Sequence, residues 1–163
     1  MRVAVVGLGA IGHHIAQVLE GRGELVRVDR TRAPLRDGEP PVDALIVTTK
    51  TPGTAWAADV AARLLGPEGV ALTIQNGLGN HEILAAKLGA QRVALGVIYI
   101  GAGWRAIAGA MDGHRSSMHA DVAARRPTEI DAINGALARE AERRGLRAPL
   151  NQALCVLVSA LLR

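Results

Sequence analysis

The segment Gly7-Leu8-Gly9-Ala10-Ile11-Gly12 fits G-x-G-x-x-G and restricts the fold more than any other stretch of the chain. It follows an aliphatic run, residues 2–7 (RVAVVG). It opens residues 10–22, where Ile11, Ile15, Val18 and Leu19 recur at helical spacing. Gly21 and Gly23 stop that helix, and residues 24–29 (ELVRVD) alternate as a second strand. Strand, helix and strand within about 30 residues make a mononucleotide-binding half. In that setting the first glycine permits a tight turn, the second lets a pyrophosphate approach the backbone, and the third lets helix and strand pack closely. The helix N-terminus adds amide donors and a positive dipole end. A tight turn without a ligand is the plainer alternative, and the flanking elements argue against it.

The next connection decides the strand order. Residues 30–42 (RTRAPLRDGEPPV) hold three prolines and charges of mixed sign, which reads as a loop. At about 3.3 Å per residue it reaches roughly 40 Å, whereas passing one strand needs about 10 Å. It therefore carries the chain to the far side of strand 1 without a helix. Residues 43–48 form the third strand, and 53–65 a helix with Trp56, Val60, Leu64 and Leu65 on one side. Residues 69–74, 80–88 and 92–100 read as strand, short helix and strand, giving the order 2-1-3-4-5. The fold class is α/β, a Rossmann-type doubly wound parallel sheet over residues 1–103, followed by a short all-helical part over 104–163. In that second part residues 104–112 read as a helix, with Gly109 and Gly113 counting against it. Residues 128–144 form a helix with Thr128 and Asp131 as a capping box and Gly145 at its end. Pro149 opens a last helix in which Leu150, Leu154, Leu157 and Leu161 repeat at 4-3-4 spacing.

Composition agrees with layers of helix on sheet. Phe is absent and Trp56, Tyr99 and Trp104 are the only aromatics, so the core is aliphatic, as buried parallel strands require. The net charge is +4, only Lys50 and Lys87 are lysines, and the basic residues are scattered, which argues against nucleic acid. Cys155 is the sole cysteine, so no intrachain disulfide forms. No apolar run approaches the roughly 18 residues of a membrane span, and the opening residues read as a strand and not a signal peptide. The expectation is a cytoplasmic protein without membrane contact. The five histidines show no metal-ligand spacing.

Open parallel sheets bind ligands beyond the carboxyl ends of their strands, where strand order reverses. Here that edge collects the glycine loop, Thr48-Thr49-Lys50, Gln75-Asn76-Gly77 and Ala102. Lys50 suits a phosphate, a ribose or a carbonyl, or is a solvated loop lysine. Asn76 offers donors and an acceptor, or is ordinary turn chemistry. At the end of strand 2 the signals conflict. Asp29 suits a ribose 2′-hydroxyl or simply caps the turn, while Arg30 and Arg32 suit a 2′-phosphate.

These residues carry a resemblance to the ketopantoate reductases. IQNGLGNHEIL resembles that family's H/Q-N-G-x-G-x-x-E-x-L stretch, and VTTK its nucleotide-contacting lysine segment. Residues 116–154, SSMHADVAARRPTEIDAINGALAREAERRGLRAPLNQAL, follow its SSM-x-x-D…R-x-TEID-x-ING…G…P-x-N pattern. The resemblance covers residues 1–29, about 43–103 and 115–163. It implies NADPH-dependent reduction of ketopantoate to pantoate for pantothenate synthesis. By position it gives the pyrophosphate to Gly7, Leu8, Gly9, Ala10, Ile11 and Gly12, and the 2′-phosphate to Arg30, which turns the cofactor expectation to NADP. Lys50, Asn76 and Ala102 line the cofactor, Glu129 meets the nicotinamide ribose, and Ser117 meets the substrate carboxylate. A capping serine and a first-turn glutamate are the plainer readings of the last two.

One departure is large. Between YIGA and SSM stands only GWRAIAGAMDGHR, without lysine or asparagine, where the family has a long helical region carrying its general-acid lysine. The catalytic group is thus unknown, with Lys50 as a weak candidate. The alternative function is a non-catalytic dinucleotide-binding protein derived by internal deletion. A different hydroxy-acid dehydrogenase fits the residue 116–154 pattern less well. Ile130, Ile133, Leu137 and the four leucines of the last helix lose the region they would pack on; a homodimer covers them, and folding back on the sheet of their own chain is the plainer alternative.

Overall fold

The computed structural model describes residues 1–31, 33–97 and 117–162. Strands β1 (Arg2–Val6), β2 (Glu24–Val28), β3 (Val42–Val47), β4 (Leu65–Thr73) and β5 (Val93–Leu95) form one parallel sheet in the order β2-β1-β3-β4-β5. The helices between them are α1 (Ala10–Leu19), α2 (Thr54–Leu64) and α3 (Asn80–Leu88). Strand alternation divides the core between two faces. Val5 packs with Leu8 and Ala16 under α1, while Ala4 and Val6 pack with Leu45, Val47, Ala57, Ala61, Leu64 and Leu84 under α2 and α3. Helices on both faces favour the aliphatic stretches Val3–Val6 of β1 and Ala44–Val47 of β3.

The connection from β2 to β3 holds no helix among its described residues. Arg2 anchors it from the first strand: Nη1 donates to Pro40 O at 2.6 Å, and Nη2 pairs with Glu39. The Arg2 amide donates to Asp43 Oδ2 at 2.7 Å at the start of β3. One side chain thus fixes where the crossing loop ends.

Two boundaries differ from the sequence reading. β4 begins at Leu65, not at residue 69, immediately after α2. Its pairing with β3 jumps from Val42↔Leu65 to Ala44↔Val70, so residues 66–69 bulge out of register. The guanidinium of Arg92 satisfies the bulge, donating to Gly69 O at 3.0 Å and to Gly66 O. β5 stops at Leu95 within its described residues; Ala102 and the segment 104–112 lie outside those described.

The chain divides into two compact units, Met1–Gln75 with Asn80–Tyr99, and Asn76–Gly79 with Ile100–Arg163. The described helices of the second are α4 (Ser117–Ala123), α5 (Ala136–Arg143), entered through a π-turn at Asp131–Gly135, and α6 (Pro149–Ala160). The start of α5 differs from the expected capping box. The Asp131 carboxylate receives Arg139 Nη1 at 2.8 Å and Nη2 at 3.2 Å instead. Asn134 donates to Asn151 at 2.9 Å, and Cys155 Sγ lies 3.7 Å from Ile130 O, so the π-turn segment and α6 interlock. Of the seven apolar residues noted above in this part, only Ile130 is buried, and Leu150 and Leu161 are 78% and 64% exposed. Among the described residues no helix is long and apolar enough to cross a membrane, and no group of acid, histidine and cysteine side chains is arranged to hold a metal.

Candidate functional site

In the first unit the carboxyl ends of β1 and β3 meet at the glycine loop. Gly7 has φ +98°, and a Cβ there would stand 2.7 Å from Thr49 N and Cγ2. A Cβ on Gly12 would stand 1.9 Å from Gly7 O and 2.6 Å from Thr48 Oγ1. The outer two glycines therefore serve close packing of backbone on backbone. Gly9 is different: among the described residues a Cβ there would meet nothing within 4 Å. Its N-terminal position on α1 leaves an open space beside amides that a helix start does not satisfy internally. That asymmetry fits an anionic group resting on the second glycine. Leu8, Ala10 and Ile11 follow the loop into the first turn of α1 and are buried, half-buried and half-buried.

The end of β2 closes one side of this loop. Asp29 Oδ2 accepts from the Leu8 amide at 3.2 Å, and Oδ1 accepts from Thr31 N and Oγ1, both at 3.1 Å. Arg30 is exposed, and its guanidinium carbon lies 5.2 Å from the centre of the half-buried Trp56 ring at the start of α2. Arg32 lies outside the described residues.

After β3, Thr48 Oγ1 lies 3.1 Å from Val6 O and is hydrogen-bonded to Gly7 O, joining the turn to β1. Lys50 follows, exposed, at the start of a 3-10 turn over Thr51–Gly53. Gln75, at the end of β4, holds the turn in place: its Nε2 lies 2.9 Å from Thr49 O, 3.0 Å from Thr49 Oγ1 and 2.9 Å from Thr54 Oγ1. Its Oε1 accepts from Thr73 Oγ1 at 3.0 Å, and Thr54 Oγ1 is 2.8 Å from Asn80 Oδ1. Thr54, Thr73, Gln75 and Asn80 are all buried. Buried polar groups need partners, and this network satisfies four of them while bracing two strand ends against two helix starts. Sequence reading did not single out Thr54 or Asn80, because Thr and Asn at helix starts look like ordinary capping residues, nor Thr73, because a β-branched residue is ordinary in a strand.

In the second unit two expected site residues come together. Asn76 Nδ2 lies 3.4 Å from Glu129 Oε2. The loop that carries Asn76 is seated on Ala132: the Leu78 amide donates to Ala132 O at 3.0 Å, and Gly77, at φ +88°, brings its Cα so close that a Cβ would stand 2.5 Å from that oxygen. Ser117 is the exposed first residue of α4. Asp121, the acid of the S-S-M-x-x-D stretch, is buried against Arg126 Nε at 3.0 Å and so closes that helix. The Arg139 hydrogen bond holds the Asp131 carboxyl below its ordinary value, and Asp131 in turn raises Arg139. The hydrogen bond from Arg144, with Arg143 nearby, similarly lowers Glu140.

A parallel sheet in this order, with a glycine loop after its first strand and helices on both faces, places the chain in the Rossmann-type α/β class. Residues 57–162 match the family described as ketopantoate reductase PanE/ApbA C terminal, and the chain belongs to that family. Over 39 residues it is 56% identical to 2-dehydropantoate 2-reductase of Vibrio cholerae, a match covering 24% of this chain and 13% of that protein. The chain thus aligns to far less than the full length of that curated relative. Among solved structures it resembles a PanE/ApbA family ketopantoate reductase from Ralstonia eutropha JMP134, with TM-score 0.72 and 16% identity over 99% of this chain and 98% of that one. It also resembles D-mandelate dehydrogenase in a ternary structure with NADH and anilino(oxo)acetate, with TM-score 0.74 and 15% identity over 99% of this chain and 98% of that one. These last two likenesses concern the fold.

Proposed function

We propose that the chain binds NADPH and belongs functionally with the 2-oxo acid reductases, its reaction being reduction of ketopantoate to pantoate. The observation that carries this reading is the open space at Gly9 between two tightly packed glycines, a cradle for a pyrophosphate on the α1 amides. The solved D-mandelate dehydrogenase with NADH has the same fold and supports a nicotinamide dinucleotide. Arg30 supports the 2′-phosphate form. By family resemblance Lys50, Asn76, Ala102 and Glu129 attend the cofactor, and Ser117 the substrate carboxylate. The dinucleotide would supply the hydride for the 2-oxo carbon, and the resulting alkoxide needs a proton from a group within hydrogen-bond reach.

That proton is where this chain departs from its family. Residues 103–115 hold no lysine or asparagine. Of the two lysines, Lys50 follows β3 at the sheet edge that carries the glycine loop and is the candidate donor by that position, whereas Lys87 lies on α3 and pairs with Asp59 of α2 at 2.7 Å. A dinucleotide-binding protein with little or no turnover is therefore the second reading, favoured by that composition. Titrating NADPH and NADH, then following NADPH oxidation with ketopantoate, separates the readings. We expect tighter NADPH binding, a smaller preference in Arg30→Ala, and turnover depressed by about 10²–10⁴. Turnover of about 1 per second or more would return full catalysis to this chain and make Lys50→Ala the decisive variant. Equal affinity for the two dinucleotides would overturn the NADP assignment. A homodimer joined through the exposed apolar side chains of α5 and α6 completes the reading.

A further inference from the structure

The NADP reading leaves one question open at the residue level: what holds an exposed arginine where a 2′-phosphate needs it. Long side chains lose rotamer freedom when they clamp an anion. Arg30 is exposed, and among the described residues no acidic side chain pairs with it, yet its guanidinium stands 5.2 Å from the centre of the Trp56 ring. Trp56 is itself fixed, packed against the aliphatic core beneath α2. Indole offers the strongest ring attraction for a cation, and that attraction needs none of the five guanidinium N–H donors. The donors stay available for a phosphate. The neighbouring acid is directed elsewhere, since Asp29 turns its carboxylate to the Leu8 amide and to Thr31. The group best suited to a ribose 2′-hydroxyl is thereby engaged by the chain, and the group suited to a 2′-phosphate is held ready.

Resting on the dinucleotide reading above, we propose that Trp56 determines cofactor specificity as a positioning residue, preorganising Arg30 for the 2′-phosphate of the adenosine half. Preorganisation raises affinity by removing an ordering cost before the ligand arrives. Trp56 and Trp104 are the two tryptophans, so a Trp104→Phe background leaves Trp56 as the sole indole reporter.

The probes are adenosine 2′,5′-bisphosphate and adenosine 5′-monophosphate, titrated into the full chain by calorimetry, with indole fluorescence as a second readout. The starting protein should prefer the bisphosphate, and its binding should change Trp56 emission. Trp56→Leu should weaken bisphosphate binding roughly two- to fivefold, the equivalent of about 0.5–1 kcal/mol for an exposed cation–ring contact, and leave the monophosphate unchanged. Trp56→Tyr, which keeps an aromatic face, should restore most of the preference. In an Arg30→Ala background, Trp56→Leu should add nothing. If the starting protein shows no preference for the 2′-phosphate, the NADP reading falls and takes this proposal with it. If the preference survives intact in Trp56→Leu, or both ligands weaken equally, the role of Trp56 falls while the NADP reading stands.

Discussion

Alanine at Gly9 and at Gly12 separates a ligand cradle from a mere tight turn. At Gly12 the new Cβ would stand 1.9 Å from Gly7 O, so α1 must move away from β1. Overpacking of that kind costs about 1–3 kcal/mol, and for a chain of this size each kcal/mol lowers Tm by about 2–4 °C. At Gly9 the new methyl meets nothing within 4 Å among the described residues. Two small effects oppose each other there. Alanine is a poorer helix N-cap than glycine by some tenths of a kcal/mol, and it restricts the unfolded chain by about 0.4–1 kcal/mol. Gly9→Ala should therefore shift Tm by less than about 2 °C in scanning calorimetry. Binding is another matter. A phosphate oxygen accepting from these amides at about 2.7–2.9 Å would compete with the methyl for the same space. Losing one charge-assisted hydrogen bond of about 1.5–3 kcal/mol weakens NADPH roughly 10- to 100-fold. Unchanged NADPH affinity in a stable Gly9→Ala protein would refute the cradle and reduce the loop to a strand-to-helix turn.

Light scattering after size exclusion should give a dimer that Leu154→Glu with Leu161→Glu dissociates, because each buried leucine contributes about 1.5–3 kcal/mol; the mass of one chain across a wide dilution range would rule the dimer out. Gln75→Leu should lower Tm by several degrees, since it strips partners from Thr49, Thr54 and Thr73 in a buried network and each orphaned group costs about 1–3 kcal/mol; an unchanged Tm would show the network to be dispensable. The lowered Asp131 stabilises the fold above its unfolded value, near pH 4, and that stabilisation disappears as pH falls through the folded value. The pair is mostly exposed, so the effect is under about 1 kcal/mol. Asp131→Asn should cost a degree or two of Tm at pH 7 and progressively less as the pH is lowered into the acid range, and a cost that does not change with pH would exclude the pairing with Arg139.

The sheet was legible because its order depends on few things. The loop of residues 30–42 is long enough to cross β1 and too rich in proline for a helix, and the aliphatic strands announce burial on both faces. What the sequence concealed were effects of partners distant along the chain. The bulge in β4 exists because Arg92, more than twenty residues on, meets the carbonyls of Gly66 and Gly69. Thr128 and Asp131 have capping spacing, yet Arg139 takes the carboxylate. At the candidate site, the glycine loop and Lys50 could be named from position, but the Gln75 network and the Arg30–Trp56 contact depend on which side chains the fold brings face to face.

The four residues Asn76–Gly79 have a consequence for how such a chain can be cut, fused or recombined. They lie in the middle of the sequence but belong to the helical unit, seated through Leu78 and Gly77 on Ala132. No single cleavage point therefore releases either unit whole. A chimaera joined near residue 100 would pair one parent's Asn76 loop with the other parent's Glu129–Ala132 segment, and it would succeed only where a residue without a side chain stands at position 77. Modularity in this protein is a property of space, and the coding sequence carries it as two interleaved pieces.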